Sequence, residues 1–530
     1  MPRSIPQFLR STAERLPDKP AVVSASGSLS FAGLLEHSLA TAACLRELGV
    51  RPGDRVGICM EKSIDQVCVL LGTLLANAIL VPILPRLKHA NIAHIVKNSG
   101  MSALVADASR MNEVESFAGE TRLVVGHGEL EEEWPNLPYI ARHIQAPEFF
   151  DRIGFDNAAV IYSSGSTGRP KGILISHRNL ADGAEIVSRY LGTVEEDRIA
   201  CVLSFNFDYG LNQIWQSVLK GATLYLHELA LPNDLFKLLD GERITALPVM
   251  PVIVTQMFDP RLYRPNAGHD YSSLRYICST GGRLSSRMIE DMSEAFPDTD
   301  IYSMFGLTEA FRATYLAPDR LATHPTSIGK AIPGCEVLVL DENGDECPPN
   351  VPGELVQRGA TVSKGYWNDP ENTARVFRGH PRYPGETLVF SGDEVVRDDD
   401  GYLYFVSRKD EMIKTRGFRV SPTEVESEVV SHENILSAVA FGVLNLEVGE
   451  DIVCAYTTKT GKPIADRVLR QYLKGRLPPH MVPASLVHFD DFPITGSGGK
   501  IDRASVQGNV RDRLGVGENR TLPAKAQARV

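Results

Sequence analysis

The 530-residue chain has no C-x-x-C pair, no apolar run long enough to span a bilayer, no excess of positive charge and no Walker A loop. Each absence removes a class of protein. The eight cysteines (44, 59, 68, 201, 278, 335, 347 and 454) are scattered without metal-ligand spacing. Reduced, mostly buried thiols are therefore expected, not a disulfide framework or a zinc site. The most apolar stretch, Val67 to Val81, is interrupted by Gly72, Thr73 and Asn77. It falls short of the roughly 20 residues a span needs and reads as a buried helix. A formal net charge of -11 argues against nucleic acid or an anionic membrane as partner. The opening Met-Pro-Arg-Ser-Ile-Pro lacks an apolar signal core, so a soluble cytoplasmic protein is expected.

What remains is an ordinary globular composition, 43% apolar and 23% charged, in a chain too long for one core. Helical periodicity at Phe31 to Leu48 and Ser63 to Ala78 alternates with β-branched runs at Arg55 to Cys59 and Ala103 to Ala106. The habit continues with apolar runs at Ile199 to Leu203, Ala222 to Leu226 and Leu274 to Cys278. Such alternation predicts parallel sheets covered by helices on both faces. From about residue 325 to 405 short strands punctuated by Asp-Glu-Asn-Gly and Asp-Asp-Asp-Gly turns predict a small β subdomain. A compact α+β piece follows Asp410, and the last fifteen residues are polar and Ala/Gly-rich, as mobile tails are.

One stretch stands out chemically. Ile161 to Gly172, Ile-Tyr-Ser-Ser-Gly-Ser-Thr-Gly-Arg-Pro-Lys-Gly, lies between two apolar runs and reads as a loop joining two strands. It concentrates hydroxyls, glycines that expose backbone N–H groups, and one lysine, Lys171. Successive N–H groups form an anion nest, so a polyphosphate suits it. Lys171 is followed by Gly172, not Ser or Thr, which is why it is no Walker A loop.

This stretch resembles the phosphate loop of the adenylate-forming superfamily: acyl-CoA synthetases, stand-alone and peptide-synthetase adenylation enzymes, and luciferases. Further motifs follow in family order. Ser303-Met304-Phe305-Gly306-Leu307-Thr308-Glu309 is similar to the aromatic-Gly-x-Thr-Glu motif. Its ring can stack on adenine, Thr308 can donate to a phosphate, and Glu309 can hold Mg²⁺. Phe305 stands where Tyr is usual, and Ser303 where an Asn often touches adenine. Gly281-Gly282-Arg283 resembles the glycine pair facing the adenine, and Asp393 in Phe-Ser-Gly-Asp the acceptor for both ribose hydroxyls. Gly353-Glu354-Leu355-Val356 and Gly365-Tyr366-Trp367-Asn368 also match family motifs, and read as structural for want of convergent chemistry. Arg408 would touch ribose and phosphate, Asp410 would be the interdomain hinge, and Lys414 and Gly417 would lie along the thiol tunnel. Lys500, in Gly-Ser-Gly-Gly-Lys, resembles the catalytic lysine of the adenylation half-reaction, with one residue more between Thr495 and Lys500 than the common pattern.

The resemblance covers roughly residues 10 to 505 and implies an α/β fold. A large N-terminal domain (1–409) would hold two doubly wound sheets and a small β-barrel-like subdomain. A mobile α+β C-terminal domain (410–512) and a disordered tail (513–530) would follow. The implied ATP and AMP contacts are Ser163, Ser164, Gly165, Ser166, Thr167 and Gly168, with Gly281, Gly282, Arg283, Ser303, Met304, Phe305, Gly306, Asp393 and Arg408. Lys171, Thr308, Glu309 and Lys500 would do the chemistry.

The acid is less determined. Phe207-Asp208 aligns with the segment in which amino acid adenylation domains place an Asp against the substrate amine, and Arg312 falls at another pocket position. Together they would suit an amino acid with a second acidic group. Paired with each other, they would leave a pocket for a neutral fatty or aryl acid. Tyr209, Asn212, Cys278 and Thr280 would shape the wall. The implied reaction is formation of an acyl-AMP from Mg·ATP, then transfer to the phosphopantetheine thiol of CoA or of a carrier protein. No Gly-Gly-x-Ser carrier motif occurs in the chain, so any carrier would act in trans. A nucleotide-binding protein without catalysis is the remote alternative.

Overall fold

The computed structural model describes residues 4–87, 89–128, 135–137, 153–164, 170–228, 232–259, 268–282, 284–408, 411–415, 418–445, 449–495 and 500–515, with the side chains of Ser164, Ser407, Lys414, Phe418 and Arg419 also outside the description. A six-stranded sheet runs Arg122–His127, Ala103–Asp107, Arg55–Cys59, Ile79–Pro82, Asn157–Ser164 and Pro170–Ser176, parallel except for the last strand. A nine-stranded sheet has six parallel strands at its centre, from Pro20–Ser24 through Thr223–Leu226, Arg198–Cys201, Ala246–Val249 and Tyr276–Ser279 to Asp300–Phe305, with antiparallel strands at both edges. Thr223–Leu226, Ala246–Val249 and Tyr276–Ser279 are buried along their whole length, as strands of a parallel sheet covered on both faces are.

The expected α/β architecture is therefore present, with one local correction. Val67 to Val81 is not one helix. The helix Ile64–Leu75 stops, Asn77 turns with φ +61°, and Ile79–Pro82 is already a strand. Apolar residues continue through the turn because helix and strand are both buried, so hydrophobicity alone hides the boundary.

A five-stranded antiparallel sheet, built from Cys335–Leu340, Gly353–Gly359, Phe377–His380, Tyr383–Arg397 and Leu403–Arg408, forms the β subdomain. Beyond it, a second five-stranded sheet (Ile413–Thr415, Phe418–Val420, Ile435–Asn445, Gly449–Thr458, Ser485–His488) packs with the helices Pro422–Val430, Asp466–Lys474 and Arg503–Leu514. This last unit has its own cores, one around Val425, Leu469 and Leu473 and another around Phe441, Val506 and Val510. A separate core is the mark of a separately packed unit. No helix among the described residues is long and apolar enough to cross a membrane. All eight cysteines are free, and all but Cys335 are buried.

Candidate active site

The expected loop is an antiparallel hairpin. Asn157–Ser164 and Pro170–Ser176 pair in register, with Ser163 opposite Lys171 and Ser164 opposite Pro170. Gly165, Ser166, Thr167 and Gly168 lie outside the described residues. The hairpin stem is extended on its far side by the segment around Tyr366. Leu174 N–H donates to Gly365 O, Lys364 N–H to Leu174 O, and Trp367 N–H to Gly172 O at 2.7 Å. This segment, read from sequence as structural, contacts two of the expected site residues. The Tyr366 hydroxyl donates to Glu309 Oε1 at 2.6 Å. The ammonium of Lys171 sits 5.7 Å from the centre of the same ring and donates to Asn372 Oδ1 at 3.3 Å. Burial and the adjacent Glu309 both push the Tyr366 hydroxyl's pKa up, so it stays a donor. The cation thus lies over one aromatic ring and the carboxylate at its hydroxyl.

Glu309 and Thr308 follow the strand Asp300–Phe305 at its carboxyl end, where parallel sheets present their ligand sites. Ser363 N–H donates to Glu309 O at 2.9 Å and fixes the turn to the β subdomain. Ser303 pairs with Ser279 in the neighbouring parallel strand. Met304 is buried and accepts from the Tyr190 hydroxyl at 2.9 Å. Phe305 is half-buried, its ring 6.0 Å from that of Phe405. Gly306 allows a close approach to the backbone of Phe311 and Arg312. Phe311 has φ +62°, rare for a bulky residue, and this turn directs Arg312 inward.

Thr280 is buried at the end of Tyr276–Ser279, and Gly281 follows with φ +83°. A Cβ at Gly281 would stand 2.9 Å from Met250 Cε and 3.5 Å from Lys500 Cε. Lys500, supplied by the C-terminal unit, therefore reaches the glycine pair of the large one. Its loop is closed at the base by an Ile494–Ile501 bridge and by Thr495 N–H donating to Lys500 O at 2.6 Å. Lys500 keeps solvent contact, yet protein crowds its ammonium. That crowding lowers its pKa, against the pull of the Asp208 carboxylate. Asp393 is buried, with Arg408 Nε 3.1 Å from its Oδ1 across paired strands, so the two expected ribose contacts stand together. Arg283, Asp410 and Gly417 lie outside the described residues.

The helix Asp208–Lys220 carries three of the expected pocket residues, Asp208, Tyr209 and Asn212. Gly210 lets it sit against the preceding loop, where a Cβ would lie 1.7 Å from Ser204 O. On one face the Tyr209 hydroxyl donates to Cys278 O at 2.7 Å, and burial pushes the Cys278 thiol up to about 11. The guanidinium of Arg312 lies 4.7 Å from the ring centres of both Tyr209 and Phe311, a cation between two aromatic faces. Its Nη1 is 3.6 Å from Asp208 Oδ2, and its side chain is only 3% exposed. The two pocket charges thus pair with each other. Burial raises the pKa of Asp208, with Arg312 opposing the rise. On the other face, Asp208, Leu211, Asn212 and Trp215 line a cavity of about 20 Å³ with Thr308, Phe311, Thr361 and Ser363.

Sequence reasoning did not foresee that Tyr366, Asn372 and Ser363 would contact expected site residues, or that Trp215 would line a cavity beside Asp208. Tyr366 carried a signal, an aromatic hydroxyl inside a family motif. The other three only acquire neighbours when the β subdomain folds back onto the hairpin and the helix.

A hairpin stem at Ser163 and Lys171, a carboxylate after a strand end, a buried Asp393 and a lysine delivered by a second unit stand where the resemblance to the adenylate-forming class expects them. The chain belongs to the AMP-binding enzyme family. The model of that family matches residues 9–367, and the AMP-binding enzyme C-terminal domain matches 424–499. The sequence is 30% identical over 95% of its length to the dimodular nonribosomal peptide synthase of Bacillus subtilis, and 29% identical over 95% to tyrocidine synthase 1 of Brevibacillus parabrevis. The chain spans 21% and 45% of those two relatives. Among solved structures it resembles the anthranilate CoA ligase AuaEII in complex with anthranoyl-AMP, with TM-score 0.88, 23% identity, and coverage of 97% of this chain and 99% of that one. ATP-bound MatB from Rhodopseudomonas palustris gives TM-score 0.87 at 24% identity, with 97% and 100% covered. At these identities the structural likeness shows the fold.

Proposed function

We propose that this chain activates a carboxylic acid with ATP and passes the acyl group to a thiol. A carboxylate oxygen attacks the α-phosphorus, the bond to the β-phosphate oxygen breaks, and pyrophosphate leaves. A phosphopantetheine thiolate then attacks the acyl carbon and AMP departs. The observation that carries this reading is Lys500 of the C-terminal unit standing against Gly281 of the large one. A cation there can stabilise the charge that develops on the α-phosphate. Lys171 and the Ser163–Gly168 loop hold the β- and γ-phosphates, and Thr308 donates to phosphate. Asp393 and Arg408 take the ribose, with Gly281, Gly282, Arg283, Ser303, Met304, Phe305 and Gly306 around the base.

Magnesium fits the donor set. One oxygen of Glu309 is taken by Tyr366, and the described residues contain no group of three potential metal ligands. A site with one carboxylate, completed by phosphates and water, is what Mg²⁺ accepts and tighter-binding metals do not need. Bound there, Mg²⁺ neutralises phosphate charge.

The thiol acceptor is CoA or a carrier protein, reached after the small unit turns about Asp410 and opens a path beside Lys414 and Gly417. The independent cores of that unit support such a motion. The acid carries no ammonium group in this reading, because Arg312 already answers the charge of Asp208. An amino acid is the second reading, favoured by the 30% identity to a nonribosomal peptide synthase. It requires a substrate amine to displace Arg312 from Asp208. ATP–pyrophosphate exchange over α-amino, β-amino, dicarboxylic, aryl and fatty acids separates the two. Exchange supported only by amino acids would overturn the favoured reading of the pocket, and exchange with none would overturn the proposed activity.

A further inference from the structure

We infer that Tyr209 is the specificity-determining residue that ends the acid site, and that the acid is a short one, of the size of acetate to butyrate. This deepens the acid-activating reading and rests on it. Tyr209 lies in the first turn of the helix Asp208–Lys220, and its hydroxyl donates to Cys278 O, 2.7 Å away in the strand Tyr276–Ser279. Cys278 Sγ lies 3.4 Å from the same hydroxyl. The side chain thus bridges the helix and the strand. Ligand sites are usually largely pre-formed, with accessible surface on their walls. Tyr209, Asn212, Cys278, Thr280, Met304 and Arg312 carry almost none, each being no more than 4% exposed.

Two contacts hold the ring in place. Its hydroxyl is taken by Cys278 O, and one face is covered by the guanidinium of Arg312, 4.7 Å from the ring centre. Arg312 is itself held, 4.7 Å from the Phe311 ring centre and 3.6 Å from Asp208 Oδ2. Turning Tyr209 aside would break a hydrogen bond and uncover one side of a buried cation, so the ring is a wall and not a lid. The open side is marked by the Asp208 side chain, 14% exposed, and by Lys500 against Gly281. There the carboxylate of the acid reacts. Cys278 lies three residues before Gly281, a span of at most about 11 Å. Van der Waals contact at each end takes about 3.5–4 Å. What is left, about 3–4 Å, is two or three carbon–carbon bonds of about 1.5 Å. That is the length of propionate or butyrate.

The test uses the full chain in ATP–pyrophosphate exchange with acetate, propionate, butyrate, hexanoate, octanoate and benzoate. The best of the first three is expected to exceed each of the last three by about 10²-fold or more in kcat/KM, since a single methylene can change it by about 10–200-fold. Tyr209→Ala is expected to raise the hexanoate-to-butyrate ratio by about 10-fold or more. Tyr209→Phe keeps the ring and is expected to keep the wild-type ratio. Tyr209→Leu, a smaller loss of volume, is expected to raise it partway, so the inference stays testable if Tyr209→Ala does not fold. A ratio between two acids is blind to a general loss of activity. Wild-type exchange with hexanoate, octanoate or benzoate as fast as with the short acids would overturn the inference and leave the ligase reading standing. An unchanged ratio in Tyr209→Ala and Tyr209→Leu would do the same. No exchange with any acid, in this series or in the wider panel, would overturn both.

Discussion

Tyr366 donates its hydroxyl to Glu309 Oε1 at 2.6 Å, while its ring lies 5.7 Å below the ammonium of Lys171. One aromatic side chain from the β subdomain therefore contacts two groups of the large unit, Lys171 on the strand Pro170–Ser176 and Glu309 in the turn after Asp300–Phe305. A hydrogen bond to a charged group contributes about 1.5–3 kcal/mol, which corresponds to roughly 10–100-fold. Tyr366→Phe keeps the ring and removes only the hydroxyl. It is expected to raise the KM for Mg·ATP by about that factor and to leave thermal stability within about 1 kcal/mol. Titration of exchange against magnesium at fixed ATP checks this, and an unchanged magnesium dependence would remove Tyr366 from the positioning of Glu309.

Asp208 and Arg312 offer a second test. With Arg312 only 3% exposed, Asp208→Ala leaves a buried guanidinium unanswered. Breaking one side of a buried pair costs about 3–5 kcal/mol. Denaturant unfolding of Asp208→Ala should show a loss of that size. The double substitution Asp208→Ala/Arg312→Met should recover much of it, because the two residues form one unit. Additive losses would mean that the pair is not coupled.

Lys500 carries a pH prediction. Crowding lowers its pKa, so the ammonium that serves the phosphate is lost at a lower pH than for a free lysine. Since kcat/KM reports the free enzyme, its profile for adenylate formation should fall on the alkaline side below the ordinary lysine range. Arginine stays charged, so Lys500→Arg should carry no such limb whatever its absolute rate. An identical alkaline limb in both proteins would assign the titration to another group.

Much of this arrangement was legible in the chain. The strands at Arg55–Cys59, Ala103–Asp107 and Tyr276–Ser279 announce themselves as short apolar runs because parallel strands are buried on both faces. The hairpin at Ser163 and Lys171 was legible because its signal is local: hydroxyls, glycines and a lysine within a dozen residues, between two apolar runs. The helix-to-strand change at Asn77 was not, since burial is continuous across it. The partner of Glu309 was hidden for a different reason. Tyr366 is separated from it by 57 residues and reaches it only because backbone bonds lay the 364–367 segment along the Pro170–Ser176 strand. Asp208 and Arg312 were both visible as pocket charges, but whether each would face a ligand or the other depended on the left-handed turn at Phe311, which no local pattern encodes.

The central claim is that Lys500 supplies the charge which stabilises adenylate formation. The most direct measurement is ATP–pyrophosphate exchange by Lys500→Ala with the best acid from the panel, beside thioester formation from the preformed acyl-adenylate. Removal of one preorganised charge stabiliser should slow exchange by about 10²–10³-fold and leave thiol transfer near the wild-type rate. Exchange at the wild-type rate would contradict the account.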